Sequence, residues 1–146
     1  MFKEILVAID GSPPSDGALD LAIELARSLS ASLTILHVID PAHVSTTIDA
    51  AAATAIDIEL EELEEAGRGL LEEATARAKA AGLAETTTML RDGMPAPTIL
   101  DTAKRADIAL IVLGTHARSG VARLFLGSTA EAVLRQSPVP VLVRRG

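Results

Sequence analysis

The stretch GTHARSGVARLFLGST, residues 114–129, decides how the rest of the chain is interpreted. It follows the apolar run IALIVL at 108–113, and it ends on STAE at 128–131, where an amphipathic helix begins. This order predicts a buried strand, a glycine-bounded loop and a helix N-terminus. Free backbone N–H groups and the positive end of a helix dipole converge there, which favours an anion. Because Arg118 and Arg123 lie between the glycines, we interpret the loop as one that holds the phosphates of a nucleotide.

The composition narrows the classes of protein to consider. The 146 residues include 49% hydrophobic but only 1% aromatic side chains, so we expect one domain, residues 1–146, with an aliphatic core. Few aromatic rings and a net charge of −7 argue against nucleic acid and anionic membranes as partners. The sequence has no cysteine, no run near the ~20 apolar residues of a membrane span, and an N-terminus typical of a strand. We therefore expect a cytoplasmic protein.

Apolar runs and helical periodicity alternate along the chain. The predicted strands are residues 3–10, 32–40, 85–91, 108–113 and 139–143. The predicted helices are residues 13–29, residues 51–81, a segment that begins at Pro95, and residues 128–136. Ser12 is the predicted N-cap of the first helix. Residues 41–50 are predicted to form a surface loop. The third strand is polar and the fifth is flanked by proline, so both belong at edges, and the fully apolar first and fourth strands belong in the centre. This predicts a doubly wound α/β domain, a five-stranded parallel sheet in the order 3-2-1-4-5 with helices on both faces.

Two predicted loops would face the same crevice. In open parallel sheets, ligands bind beyond the carboxyl ends of the strands, where the strand order reverses. The first strand ends at Asp10-Gly11-Ser12, and the fourth ends at Gly114-Thr115-His116. If these strands are neighbours, the fold and the glycine loop predict a ligand in the same place.

Nearly the whole chain resembles the universal stress proteins. The resemblance is carried by KEILVAIDGS at 3–12, LTILHVID at 33–40 and IVLGTHARSGVARLFLGSTAEAVLRQSPVPVLV at 111–143. The family's nucleotide signature is Gly, two residues, Gly, nine residues, Gly, and then Ser or Thr. Here it is matched by Gly114, Gly127 and Ser128, and Ala117 replaces the second glycine.

This resemblance implies a flavodoxin- or Rossmann-like sheet and ATP binding, as in the ATP-binding branch of the family. Val38 would meet adenine through its backbone, and Asp10 would lie near the phosphates. The resemblance also implies a homodimer through the last strand, between Val139 and Val143, and a role in stress adaptation with a protein partner still to be identified. The nucleotide-binding residues assigned by this resemblance and by the two loops are Ala8, Asp10, Gly11, Ser12, Val38, Leu113, Gly114, His116, Ala117, Arg118, Gly127, Ser128 and Thr129.

Ala117 is the departure from the family pattern. Glycine there allows the backbone to approach a phosphate closely and to adopt a positive φ. Alanine is tolerated at negative φ but costs on the order of 1 kcal/mol at positive φ, enough to weaken binding several-fold. The substitution leaves the preference between ATP and AMP open.

Two residues have both a binding and a structural interpretation. Ser128 could donate its hydroxyl to a phosphate, or it could cap the last helix in a capping box with Glu131; we favour the phosphate. Asp10 could hold Mg²⁺ that bridges it to the phosphates, or it could bond its own turn before Gly11. We expect Asp10 to line the pocket in either case.

Three functions are compatible with this pattern: a nucleotide-binding regulatory protein, a slow ATP hydrolase, and a dimeric scaffold without nucleotide. The sequence has no Walker A lysine and no kinase-type catalytic set, which argues against phosphoryl transfer. It lacks the dinucleotide fingerprint after the first strand, which argues against a dehydrogenase. A flavin carrier usually stacks its ring on aromatic side chains, and only Phe2 and Phe125 are present. We therefore favour the regulatory protein.

Overall fold

The structure is a computed structural model that describes residues 1–43, 52–115 and 126–146, with only the backbone of 43 and 52–57. Strands and helices alternate along it, as the periodicity predicts. The strands are β1 (Glu4–Ile9), β2 (Ser32–Ile39), β3 (Thr86–Asp92), β4 (Leu110–Thr115) and β5 (Val141–Arg145). The helices are α1 (Pro13–Leu29), α2 (Ala52–Ala80), α3 (Pro95–Arg105) and α4 (Ser128–Gln136), and a 3₁₀ turn spans Pro41–His43. The rest of the loop predicted at 41–50 lies outside the described residues.

The five strands form one parallel sheet in the order β3-β2-β1-β4-β5, which confirms the predicted α/β fold. The central strands are fully buried through most of their length, including Ile5, Val7 and Ile111. One apolar core lies between the sheet and helices α1 and α2, and a second lies on the face covered by α3 and α4. The strand order reverses between β1 and β4, so their carboxyl ends are neighbours at the predicted crevice.

Two predicted strands are displaced by two residues. We predict the fourth at 108–113, but the N–H of Ile108 donates to the carbonyl of Ala103 at 3.0 Å and so completes the end of α3. Strand β4 instead continues through Gly114 and Thr115, which pair with β5. We predict the fifth at 139–143, but the hydroxyl of Ser137 bonds both the N–H and the C=O of Val139 in a tight turn. The ladder therefore begins at Val141.

Helix α1 begins as predicted. Ser12 is the N-cap in an extended conformation, and its hydroxyl accepts a hydrogen bond from the N–H of Ser15 at 3.4 Å. Pro13 occupies the first helical position, where a missing N–H has no consequence. This capping fixes the chain as it leaves β1 and places the first turn of α1 over the carboxyl end of β4.

Helix α2 follows its predicted span, and its two glycines differ in surroundings. An ideal Cβ on Gly67 would lie 2.8 Å from atoms of both His37 and Leu90, whereas one on Gly69 would meet nothing within 4 Å. Helix α2 therefore approaches the sheet closely at Gly67 but not at Gly69. Among the described residues, no helix has both the length and the apolar character needed to cross a membrane.

Helix α3 is held against β3 by Arg91. Its guanidinium donates to the hydroxyl of Thr102 at 2.6 Å and to the carboxylate of Asp101 at 2.9 Å. The hydrogen bonds from Arg91 and then Arg105 hold the pKa of the Asp101 carboxyl below its ordinary value. These contacts fix the helix whose first turns border the crevice.

Candidate functional site

A cavity of about 710 Å³ opens at the carboxyl ends of β1, β2 and β4. Its volume is within the roughly 300–1,000 Å³ that small-molecule sites occupy. The structure brings most of the predicted binding residues together here: Ala8, Asp10, Ser12, Val38, Leu113, Gly114, Gly127, Ser128 and Thr129 line this cavity. The fold and the glycine loop therefore meet at one place, as the sequence predicts.

Of the four other predicted positions, only Gly11 is among the described residues, and the structure places it outside this wall. Gly11 borders a separate cavity of about 230 Å³ between α1 and α2. It has a φ of +81°, and an ideal Cβ would lie 3.0 Å from the Leu70 side chain of α2. The turn after β1 therefore directs Gly11 towards α2. His116, Ala117 and Arg118, together with Arg123 from the same loop, lie outside the described residues.

Asp10 forms the turn that its structural interpretation predicts. One carboxylate oxygen accepts hydrogen bonds from the N–H and the hydroxyl of Ser12. The backbone N–H of Asp10 donates to the hydroxyl of Ser15 at 2.9 Å, which anchors the turn to the first turn of α1. In the described part of the chain, no cluster of three or more His, Asp or Glu side chains could hold a metal ion. Asp10 is thus a turn residue that also lines the cavity.

Helix α4 spans Ser128–Gln136, as predicted, but its start lacks a side-chain cap. The N-cap is Gly127, with φ 81° and ψ 152°, so the alternative interpretation of Ser128 as the cap is wrong. Glu131 instead pairs with Arg135 one turn later, and its N–H donates to the carbonyl of Gly127 at 3.0 Å. Gly127 occupies the N-cap with backbone angles that only glycine readily adopts.

An uncapped helix start leaves free donors. The first three N–H groups of α4, those of Ser128, Thr129 and Ala130, have no helical acceptor, and all three residues line the cavity. Together with the positive end of the helix dipole, they make this wall of the cavity suited to an anion.

Gly114 and Thr115 have roles that the sequence does not reveal. An ideal Cβ on Gly114 would lie 2.5 Å from the carbonyl carbon of Pro14, and closer still to the oxygen, so this glycine lets α1 pack on β4. Thr115 is buried, and its hydroxyl donates to the carbonyl of Leu126, just before the N-cap of α4. Only contacts distant in sequence identify these roles.

Further polar residues of the cavity were missed. His37 donates from Nδ1 to the carbonyl of Ile9 at 2.7 Å, and Asp40 accepts from the N–H of Ala42 at 2.9 Å. The position of Asp40 at the carboxyl end of a predicted strand was the signal that could have identified it. Asp10 and Asp40 are acidic, and the described wall contains no lysine or arginine. In the described wall, the attraction for an anion therefore comes from backbone N–H groups.

The rest of the cavity lining is largely apolar and suits a planar or ring-shaped group. It is contributed by the sheet, by α2 and α3, and by the segment before α4. Its apolar members are Ala8, Ile9, Val38, Ile39, Leu63, Pro95, Ile99, Leu113 and Leu126. One cavity thus combines an apolar wall with a set of anion-binding donors.

Comparisons with known proteins agree with this fold. The chain is 39% identical over 149 residues to universal stress protein YxiE of Bacillus subtilis (strain 168), an alignment that covers 99% of this chain and 100% of the relative. A crystal structure of a family member from Burkholderia pseudomallei has a TM-score of 0.78 at 31% identity, over 98% of this chain and 96% of that one. A universal stress protein crystallised in complex with cAMP has a TM-score of 0.68 at 27% identity, over 99% of this chain and 97% of that one. The family model matches residues 1–145, and this chain therefore belongs to the universal stress protein family.

Proposed function

We propose that this protein is an ATP-binding regulator of the stress response that acts through nucleotide-dependent conformation or through a protein partner. The observation that carries the proposal is the uncapped N-terminus of α4, whose first three residues line the 710 Å³ cavity. Three N–H donors and the hydroxyls of Ser128 and Thr129 are the groups that phosphate oxygens need.

The apolar wall supports a nucleoside as the rest of the ligand. Val38 and Leu113 border the cavity from β2 and β4, the two strands that flank β1, and Ile99 borders it from α3. A purine ring can bury its faces against such side chains while backbone groups at the strand ends bond its edge. The family member solved with cAMP supports a nucleotide as the class of ligand.

Mg²⁺ is the cofactor we propose at Asp10. Two carboxylates, Asp10 and Asp40, line the cavity, and the described wall has no lysine or arginine to balance them. Mg²⁺ is commonly held by one or two carboxylates together with phosphate oxygens, so a single Asp is enough on the protein side. Bound there, the ion would supply the positive charge that lets an acidic turn and a polyphosphate share the cavity.

The proposal is tested by titrating the folded protein with ATP in a calorimeter, with and without Mg²⁺. We expect a micromolar Kd with Mg²⁺, which corresponds to about −8 kcal/mol. AMP in a parallel titration tests the length of the phosphate chain, and tighter binding of AMP would reassign the ligand to a monophosphate. A folded protein that gives no binding heat and no thermal shift at millimolar ATP would contradict the proposal.

Asp10→Asn is expected to remove the effect of Mg²⁺ on ATP binding. Asparagine keeps an oxygen that can accept from the N–H of Ser12, so the turn survives while the charge is lost. In the presence of Mg²⁺, the affinity for ATP should fall about tenfold, to the value measured without the ion. Asp107→Asn is the matched control, because Asp107 precedes β4 at the opposite end of the sheet and its φ of 50° suits asparagine. A gain in ATP affinity for Asp10→Asn would exclude the metal role.

We also propose a homodimer that forms through β5. This strand is at the edge of the sheet, and Leu142 is 37% exposed beside the half-buried Val141 and Val143. Such an edge is a template for pairing with a second copy. Leu142→Lys should convert a dimer to a monomer in sedimentation equilibrium, whereas Leu29→Lys, at another exposed leucine, should not. A wild-type monomer at about 100 μM, well above the Kd of a stable dimer, would contradict this proposal.

The remaining parts of the proposal concern the whole protein. We propose that residues 1–146 form one nucleotide-binding domain that functions in the cytoplasm. A sequence without cysteine is compatible with a reducing compartment, and the family match spans residues 1–145.

A further inference from the structure

Thr115 connects the end of the central sheet to the start of α4. Its side chain is only 4% exposed, and its hydroxyl donates to the carbonyl of Leu126, eleven positions along the chain. Its backbone is held independently, because it pairs with Arg145 of β5 and its carbonyl accepts from the N–H of Gly146 at 3.1 Å. The hydroxyl therefore connects a fixed strand end to the segment that leads into α4.

The segment that Thr115 holds determines where the donors of α4 lie. Leu126 precedes the N-cap Gly127, and an ideal Cβ on Gly127 would lie 3.4 Å from Oγ1 of Thr115. The carbonyl of Gly127 in turn accepts from the N–H of Glu131 at 3.0 Å. Two hydrogen bonds thus lead from β4 to the first turn of α4, at a helix start that lacks a side-chain cap.

We propose that Thr115 is the positioning residue for the phosphate end of this site. Its hydroxyl is used by Leu126 and does not need to touch the ligand; instead it orients Gly127 so that the N–H groups of residues 128–130 converge on one anion. The inference rests on the proposed nucleotide function. It links Thr115 to the anionic part of the ligand. Replacing Thr115 should therefore weaken the binding of a ligand that carries phosphates and leave the binding of the nucleoside alone nearly unchanged.

The test compares Thr115→Val with Thr115→Ser. Valine keeps the branched shape but removes the hydroxyl, whereas serine keeps the hydroxyl. Calorimetric titrations use ATP with Mg²⁺ and adenosine as probes. We expect Thr115→Val to bind ATP about tenfold more weakly, with adenosine affinity changed less than about twofold, and Thr115→Ser to stay within about twofold of wild type for both.

A second measurement needs no ligand. Amide hydrogen exchange in the free protein reports the bond from the N–H of Glu131 to Gly127, which should lose protection in Thr115→Val and keep it in Thr115→Ser. This measurement tests the link from Thr115 to α4 even if the wild type binds no nucleotide, so failure of the proposed function is distinguishable from failure of this inference.

Several results would overturn the inference. They are an equal loss of ATP and adenosine affinity in Thr115→Val, a Thr115→Ser variant as impaired as the valine variant, or unchanged exchange at Glu131 in the valine variant. Thermal denaturation establishes that each variant is folded. If the valine variant does not fold, Thr115→Cys, which has a weak S–H donor, replaces it and is expected to show the same selective loss of ATP affinity.

Discussion

A Gly127→Ala variant is expected to fold but to bind Mg²⁺-ATP about five- to 150-fold more weakly than the wild type. Gly127 has φ 81° and ψ 152°, a region that is essentially restricted to glycine. Forcing another residue into it costs about 1–3 kcal/mol, and that range corresponds to the stated loss if all of it appears in binding. The Cβ itself would have room, since the nearest atom is Oγ1 of Thr115 at 3.4 Å. The loss of ATP affinity would therefore come from a changed backbone conformation. Alanine would relax the strain at position 127 by turning the N–H donors of α4 away from the phosphates.

Gly82→Ala is the matched control for this experiment. Gly82 also has a positive φ, +88°, and an ideal Cβ there would meet nothing within 4 Å. It lies between α2 and β3, at the amino ends of the strands and far from the cavity, so its substitution replaces a positive-φ glycine without touching the site. Its ATP affinity should equal that of the wild type. Gly127→Arg, which adds a long side chain beside the cavity, should abolish measurable binding. If Gly127→Ala binds ATP as tightly as the wild type, the N-terminus of α4 is not the phosphate site.

The order of the strands in the sheet was predictable because the amino-acid composition of each strand indicates how deeply the strand is buried. The uninterrupted apolar residues of β1 and β4 require cover on both faces, which only central strands have. The threonines of β3 suit a half-solvated edge. In a chain of alternating strands and helices, these preferences favour the strand order that the structure has. The reversal of the strand order between β1 and β4 then predicts where the cavity lies.

The predicted bounds of β4 and β5 were wrong for a common physical reason. Periodicity reports which side chains are buried, but a strand is defined by the partners of its backbone. Ile108 is apolar and buried, yet its N–H completes α3. Gly114 and Thr115 look like loop residues, yet they pair with Arg144 and Arg145 of β5. Such pairing becomes visible only when the neighbouring strand is placed.

The residues that line the cavity were largely predictable as a group, but not their individual roles. The two strand ends converge as expected, whereas the capping pattern at Ser128 and Glu131 fits the sequence rule and still fails. The N-cap is decided by the φ of Gly127, which no local pattern encodes. The role of Thr115 depends on a carbonyl eleven positions away. Sequence reasoning therefore locates the site better than it explains what holds the site in shape.

Gly114→Ala is expected to destabilise the protein by about 3 kcal/mol or more, at the upper end of overpacking effects. An ideal Cβ would lie 2.5 Å from the carbonyl carbon of Pro14 and 2.9 Å from the nitrogen of Ser15, and closer still to the carbonyl oxygen of Pro14. These are backbone atoms in the first turn of α1, and the prolines at 13 and 14 limit how that turn can adjust. The helix would have to move away from β4. Thermal unfolding should show a decrease in Tm of roughly 6–12 °C for a chain of this size.

Gly17→Ala separates this packing effect from the general effect of replacing a glycine. Gly17 also has a close neighbour, but that neighbour is a flexible side chain. An ideal Cβ on Gly17 would meet only the guanidinium end of Arg144, which can swing aside. Because Gly17 lies inside α1, alanine should be neutral or stabilising by up to about 1 kcal/mol. A Gly114→Ala variant as stable as Gly17→Ala would mean that α1 does not rest on this glycine. A Gly114→Ala variant that folds should also bind ATP more weakly, because the same turn of α1 carries Ser15, whose hydroxyl holds the backbone of Asp10 in the cavity wall.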